Sequence, residues 1–119
     1  MAIALTNPAV GTFGFFLNAT SVDVSGVEVL KAAPGAGLSI YVDHITLNST
    51  AAIALSIGEG ETVPGTVDTV LIGPVEFPAL QTLQWDFRNG GIKLTANTLL
   101  CIDADGAGNI CCFVSGRIE

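Results

Sequence analysis

The pattern that most limits what this chain can become is strict alternation, with no helical period sustained anywhere. Over residues 38–58, Leu38, Ile40 and Val42 alternate with Ser39, Tyr41 and Asp43; beyond a polar break, Ile53, Leu55 and Ile57 alternate with Ala52, Ala54 and Ser56. A spacing of two sends successive side chains to opposite faces of an extended strand. Asn48, Ser49 and Thr50 supply turn chemistry between the runs, which therefore read as a hairpin that organises the rest. The apolar phase flips between Val42 and Ile45, predicting either a bulge near Asp43 and His44 or a strand covered on both faces.

Similar runs fill the chain. Phe13, Phe15 and Leu17 alternate with Gly14 and Phe16 in a strand ending near Asn18, and Val22 with Val24, then Val27 with Val29, flank a phase shift at Ser25-Gly26. Residues 32–37 are a turn and residues 58–65 a loop by their Gly, Pro and acidic content. Residues 67–77 read as a strand, a kink at Gly73-Pro74 and a second short strand. Leu83, Trp85 and Phe87 share one face opposite Gln84 and Asp86, and residues 88–91 turn the chain into Ile92, Leu94 and a corner at Thr95-Ala-Asn97. Residues 99–104 and 110–118 are the last strands, with residues 105–109 read as their hairpin turn. Eight to ten short strands imply an all-β antiparallel β-sandwich, with a jelly roll the expected winding. At 119 residues the chain has the length of one domain: residues 1–12 are read as an extended N-terminal arm and residues 13–119 as the single β-sandwich domain.

Charge makes the exterior a problem. Only 13% of residues are charged, about half the share of an average soluble domain. Four basic and eleven acidic side chains must serve a surface of roughly 6,000 Å². Part of that surface is therefore expected to be covered, in a homo-oligomer or on a larger assembly. The candidate interface residues are Ala2, Ile3, Leu5, Pro8 and Val10 in the arm, with Phe13, Phe16 and Trp85. Trp85 could also serve the core or, if exposed beside other aromatics, a sugar platform. A net charge of −7 with Lys31, Arg88, Lys93 and Arg117 scattered speaks against nucleic acid and anionic membranes as partners. The N-terminus lacks a basic start, and no stretch reaches transmembrane length, so cytoplasmic synthesis is expected.

No catalytic constellation emerges, and no enzyme activity, cofactor or metal is expected. His44 is the only histidine and reads as a strand residue, without a nucleophile elbow or cysteine-protease signature around it. Asp103, Asp105 and Asn109 among glycines look like a calcium loop but lack EF-hand spacing, and suit a turn equally well. Cys101, Cys111 and Cys112 form no C-x-x-C pair, and an odd count is no disulfide framework. Reduced buried thiols are the expectation, with a bridge from Cys101 to Cys111 or Cys112 as the alternative. Asn18 and Asn48 fit the glycosylation acceptor pattern, and Asn48 is better explained as a turn residue.

Three stretches carry a resemblance: Thr95-Ala-Asn97-Thr98-Leu-Leu-Cys-Ile, then Gly106-Ala-Gly-Asn109, then Val114-Ser-Gly116-Arg-Ile. A corner, a small-residue turn and a final strand of this kind resemble the small β-sandwich virion proteins of tailed bacteriophages. Leu38-Ser-Ile-Tyr-Val and Leu47-Asn-Ser-Thr-Ala51 are similar to paired strands of that group. The resemblance spans residues 28–118. It implies a trimer that serves as a head decoration (cement) protein on the major capsid protein, at the capsid surface of the virion, with an N-terminal arm ordering on the lattice. The alternative it implies is a receptor- or carbohydrate-binding head domain of a phage fibre or tail, using an exposed aromatic or the acidic loops near residues 59–61 and 103–109.

Overall fold

The computed structural model describes residues 3–6, 14–21, 26–87 and 90–119. They form ten strands: β1 (Ile3–Thr6), β2 (Gly14–Ser21), β3 (Gly26–Lys31), β4 (Ile40–Ser49), β5 (Ile53–Glu59), β6 (Thr69–Phe77), β7 (Gln81–Asp86), β8 (Ile92–Lys93), β9 (Leu100–Ala104) and β10 (Ile110–Ile118). Two antiparallel sheets pack face to face. The larger runs β1-β2-β10-β4-β7, with β8 also on β4, and the smaller runs β3-β9-β5-β6. The all-β sandwich follows from the period-two runs, because each strand has one apolar face to bury.

The strand pairing departs from the sequence reading in one important way. β4 and β5 were expected to be a hairpin, yet they lie in different sheets; so do β9 and β10. Both connections are arches that carry the chain across the sandwich. They cross side by side at one end, where the Thr50 N–H donates to the Asn109 carbonyl at 3.0 Å. There Gly108 approaches Ala51 so closely that a Cβ on the glycine would stand 2.6 Å from the Ala51 Cβ. β5 is buried at every position, so its backbone groups must be paired along both edges, and in the smaller sheet β9 and β6 supply both partners. Four of the pairs that form are nested: β5 with β6, β4 with β7, β3 with β9 and β2 with β10.

The core lies between the sheets. Leu17, Ile45, Leu47, Val114 and Cys112 from the larger sheet meet Leu30, Leu55, Ile57, Leu100 and Ile102 from the smaller. The expected bulge is present in β4: Ser115 faces His44 while Gly116 faces Val42, leaving Asp43 as the extra residue. It restores Ile45 and Leu47 to the inner face. In β6 the kink is a cis Gly73-Pro74 bond within one strand, where the β5 pairing shifts register.

Residues 60–68 fold back over the outside of β5. Gly58 has no room for a side chain, since a Cβ would meet Val67 and the Thr69 carbonyl. The loop is held by its own carboxylates: Asp68 accepts from the Thr62 N–H at 3.0 Å and hydroxyl at 2.6 Å, and Glu61 from the Gly65 N–H at 2.7 Å. The Thr62 bonds hold the Asp68 carboxyl below its ordinary value. The segment read as an N-terminal arm contributes β1 over Ile3–Thr6, an edge strand paired with β2.

Candidate interaction surface

Three places deserve comparison as sites: the outer face of the larger sheet, a cleft at one end of the sandwich, and the row that contains His44. The outer face is built by register. Alternation in β10 sends Ile110, Cys112 and Val114 inward and Cys111, Phe113 and Ser115 outward. Their neighbours across β2 are Thr20, Asn18 and Phe16, and across β4 are Asn48, Thr46 and His44. Thr82, Gln84 and Asp86 of β7 complete the rows.

At the centre Phe16 and Phe113 touch, ring centroids 5.9 Å apart and planes tilted by 40°; Phe113 is 38% exposed. The surrounding side chains are mostly hydroxyls and amides, with the Cys111 thiol and the His44 imidazole among them and Asp86 at the end of one row. The Asn48 amide donates to the Thr82 hydroxyl at 2.7 Å, and the Cys111 thiol to Asn18 Oδ1 at 3.4 Å. Asn48 is thus a strand residue on this face, which corrects its reading as a turn. Formal charge gathers at one end of the face, where Arg117 pairs with Asp43 at 3.4 Å and stacks 4.3 Å from the Tyr41 ring, with Lys93 on the other strand beside that ring.

The carboxylates are segregated. Glu28, Glu59, Glu76 and Asp103 stand on strands of the smaller sheet, and Glu61, Asp68 and Asp105 on loops leaving it. Among the described residues of the larger sheet only Asp43 and Asp86, with Glu119 beyond β10, carry negative charge, all toward the Arg117 end.

The cleft lies beside residues 60–68. A hollow of about 240 Å³ is lined by Gly60, Thr62, Asp68, Asn97 and Thr98, and an adjoining one of about 180 Å³ by Glu59, Thr69 and Thr95. Its acids already have partners. Glu59, 8% exposed, accepts from the Thr95 N–H and hydroxyl, each at 2.7 Å. Asn97, at φ 52°, presents its side-chain oxygen to the Gly35 N–H at 3.0 Å. The cleft is therefore the stapled corner of the fold. Among the described residues no group of three His, Cys, Asp or Glu could hold a metal ion.

His44 falls in register between Ser115 and Asp86, a serine, histidine and carboxylate in one row. Its Nε2 is engaged by the Thr46 hydroxyl at 2.9 Å, and the row lies on an open sheet face away from both hollows. Nucleophilic catalysis needs the imidazole on the nucleophile and donors for an oxyanion, and this row supplies neither arrangement.

The thiols are free. Burial pushes the Cys101 thiol up to about 12, helped by the negative charges of Glu61, Asp103 and Asp68, and burial raises Cys112 and Cys111 as well. Cys101 donates to the Gly58 carbonyl beneath residues 60–68. Cys111 is the thiol that reaches the surface.

The sequence-derived interface residues divide. Phe16 lies at the centre of the outer face. Ile3 packs against the core from β1, and Leu5, on the same edge strand, is 42% exposed. Trp85 faces Ile45 across β7 and β4 on the inner side and packs at the core margin. Ala2, Pro8, Val10 and Phe13 lie outside the described residues. Phe113 was missed, although its signal was present: it is the aromatic out of phase with Ile110, Cys112 and Val114. The chain matches no family model, no curated protein and no solved structure.

Proposed function

We propose that this chain is a structural virion protein, a capsid decoration or cement subunit that works by covering and being covered. The single observation that carries the reading is the segregation of charge: an acidic smaller sheet, and a larger sheet whose outer face centres on Phe16 and Phe113 among uncharged polar side chains. A subunit docked by one face needs one side that can lose water cheaply and another that keeps the assembly soluble. Removing hydroxyls, amides and aromatic rings from water costs far less than removing carboxylates.

Two further observations support it. The nested pairs fit a jelly-roll winding, a strand arrangement found among capsid and lectin domains, and the corner and final strand that carry the resemblance occupy Thr95 to Asn97 and β10. The alternative head-domain reading cannot use Trp85, which packs at the core margin, and would have to use the Phe16 and Phe113 pair or the acidic loops.

The test is binding to phage capsids assembled without this protein. Purified chain should co-sediment with them in a saturable ratio and raise the temperature at which they rupture. A chain that stays in the supernatant at every concentration, or that binds immobilised glycans instead, overturns the reading.

A further inference from the structure

We infer that the outer face of the larger sheet is a contact between two copies of this chain, packed sheet on sheet around Phe16 and Phe113. The inference rests on the reading of that face as a docking surface and names its occupant. Charge selects the occupant. Each copy carries −7, so copies repel least where carboxylates are few, and on this face they stand at one end beside Arg117. A basic partner would go to the acidic smaller sheet, and among the described residues an acidic partner would find here only Lys93 and Arg117 at one end, with Asp43 and Glu119 already on the guanidinium. What complements an aromatic centre ringed by side chains that both donate and accept is another such face, and the chain itself presents one.

Size agrees. Five strands about 4.8 Å apart and about eight residues long at roughly 3.3 Å each make a face on the order of 600 Å². Two such faces bury on the order of 1,200 Å², at the lower bound of specific, stable interfaces. A face that meets itself closes as a pair about a twofold axis. With that axis running across the strands, the charged end of each copy, with Asp43, Asp86 and Arg117, lies over the neutral end of the other, with Thr20, Asn48 and Thr82. Like charges then stay at opposite ends.

The experiment is sedimentation velocity over a hundredfold range of concentration on the full chain, together with alkylation of Cys111 read by mass spectrometry. Wild type should pass from monomer to dimer in the micromolar range, and Cys111, which neighbours Phe113 in β10, should become protected in step. Phe113→Glu introduces a carboxylate at the centre of the contact and should weaken dimerisation by at least about tenfold, restoring alkylation of Cys111. Continued protection of buried Cys101 and Cys112 shows that the variant is folded. Val70→Glu, at a 47% exposed position on the smaller sheet, should leave the dimer intact. A monomer at every concentration, a higher oligomer with Cys111 reactive, or disruption by Val70→Glu and not by Phe113→Glu overturns the inference. Capsid binding by such a monomer would leave the structural role standing, and failure to bind capsids by a protein that does dimerise would count against that role alone.

Discussion

Gly108→Ala tests the two crossing arches, on which the whole strand pairing depends. The glycine has room for its own backbone but none for a methyl, whose carbon would lie 2.6 Å from the Ala51 Cβ. Carbon atoms in contact prefer about 3.5–4.0 Å, so one arch must shift by about 1 Å. Overpacking of this size costs about 1–3 kcal/mol, a fall in Tm of roughly 4–10 °C for a domain of this length. Removing the opposing methyl with Ala51→Gly costs about 0.5–1 kcal/mol alone, through backbone freedom in the unfolded chain. Combined, the substitutions should recover most of the loss, giving a coupling of about 1–2 kcal/mol in the stabilising direction. Urea unfolding followed by the fluorescence of Trp85, the single tryptophan, reads all four proteins at one fixed protein concentration. Were β4 and β5 a local hairpin, residues 51 and 108 would be strangers, and their effects would add within about 0.5 kcal/mol. Additivity would refute the arches.

Glu59→Ala takes away both acceptors of Thr95 at once and should cost about 2–3 kcal/mol in urea unfolding, since the freed N–H and hydroxyl sit in a part-buried corner; Glu59→Gln, which keeps one acceptor oxygen, should cost less, and equal losses would show that the carboxylate does not hold the corner. Cys101 sets an alkaline limit. Its thiol is pushed up to about 12 from an ordinary 9.0, so the unfolded chain ionises first: the stabilisation is complete below pH 9 and is lost as pH rises from 9 toward 12. The stability difference between wild type and Cys101→Ala should therefore be constant from pH 6 to 8.5 and shrink above pH 9, and a difference that stays flat to pH 10.5 would contradict the burial of this thiol.

Much of the architecture was legible in the residues, and for a local reason. Each strand announces itself by alternation, and the phase flip at Asp43 is visible because a bulge moves every later side chain to the other face. The acidic loop of residues 58–65 and the corner at Thr95 to Asn97 are equally local, since Gly, Asn and Thr are the residues such turns require. The candidate surface was half legible. Phe16 was found and Phe113 was not, because the two are ninety-odd positions apart and only the pairing of β2 with β10 brings their rings together. Trp85 pointed the other way for the same reason: its face was readable, but which face of β7 meets the core depends on Ile45 opposite.

What the sequence by itself determined was the strand repertoire, the two-faced character of each strand and the scarcity of charge. Those follow from side-chain chemistry and a spacing of two. Which strands pair was decided only in three dimensions. β5, buried throughout, is paired along both edges by β9 and β6, so the turns around residues 50 and 107 are crossings between sheets, with the nested pairs around them. The separation of acids onto one sheet is a consequence of that pairing. No window of sequence contains it, because it exists only once strands far apart in the chain lie side by side.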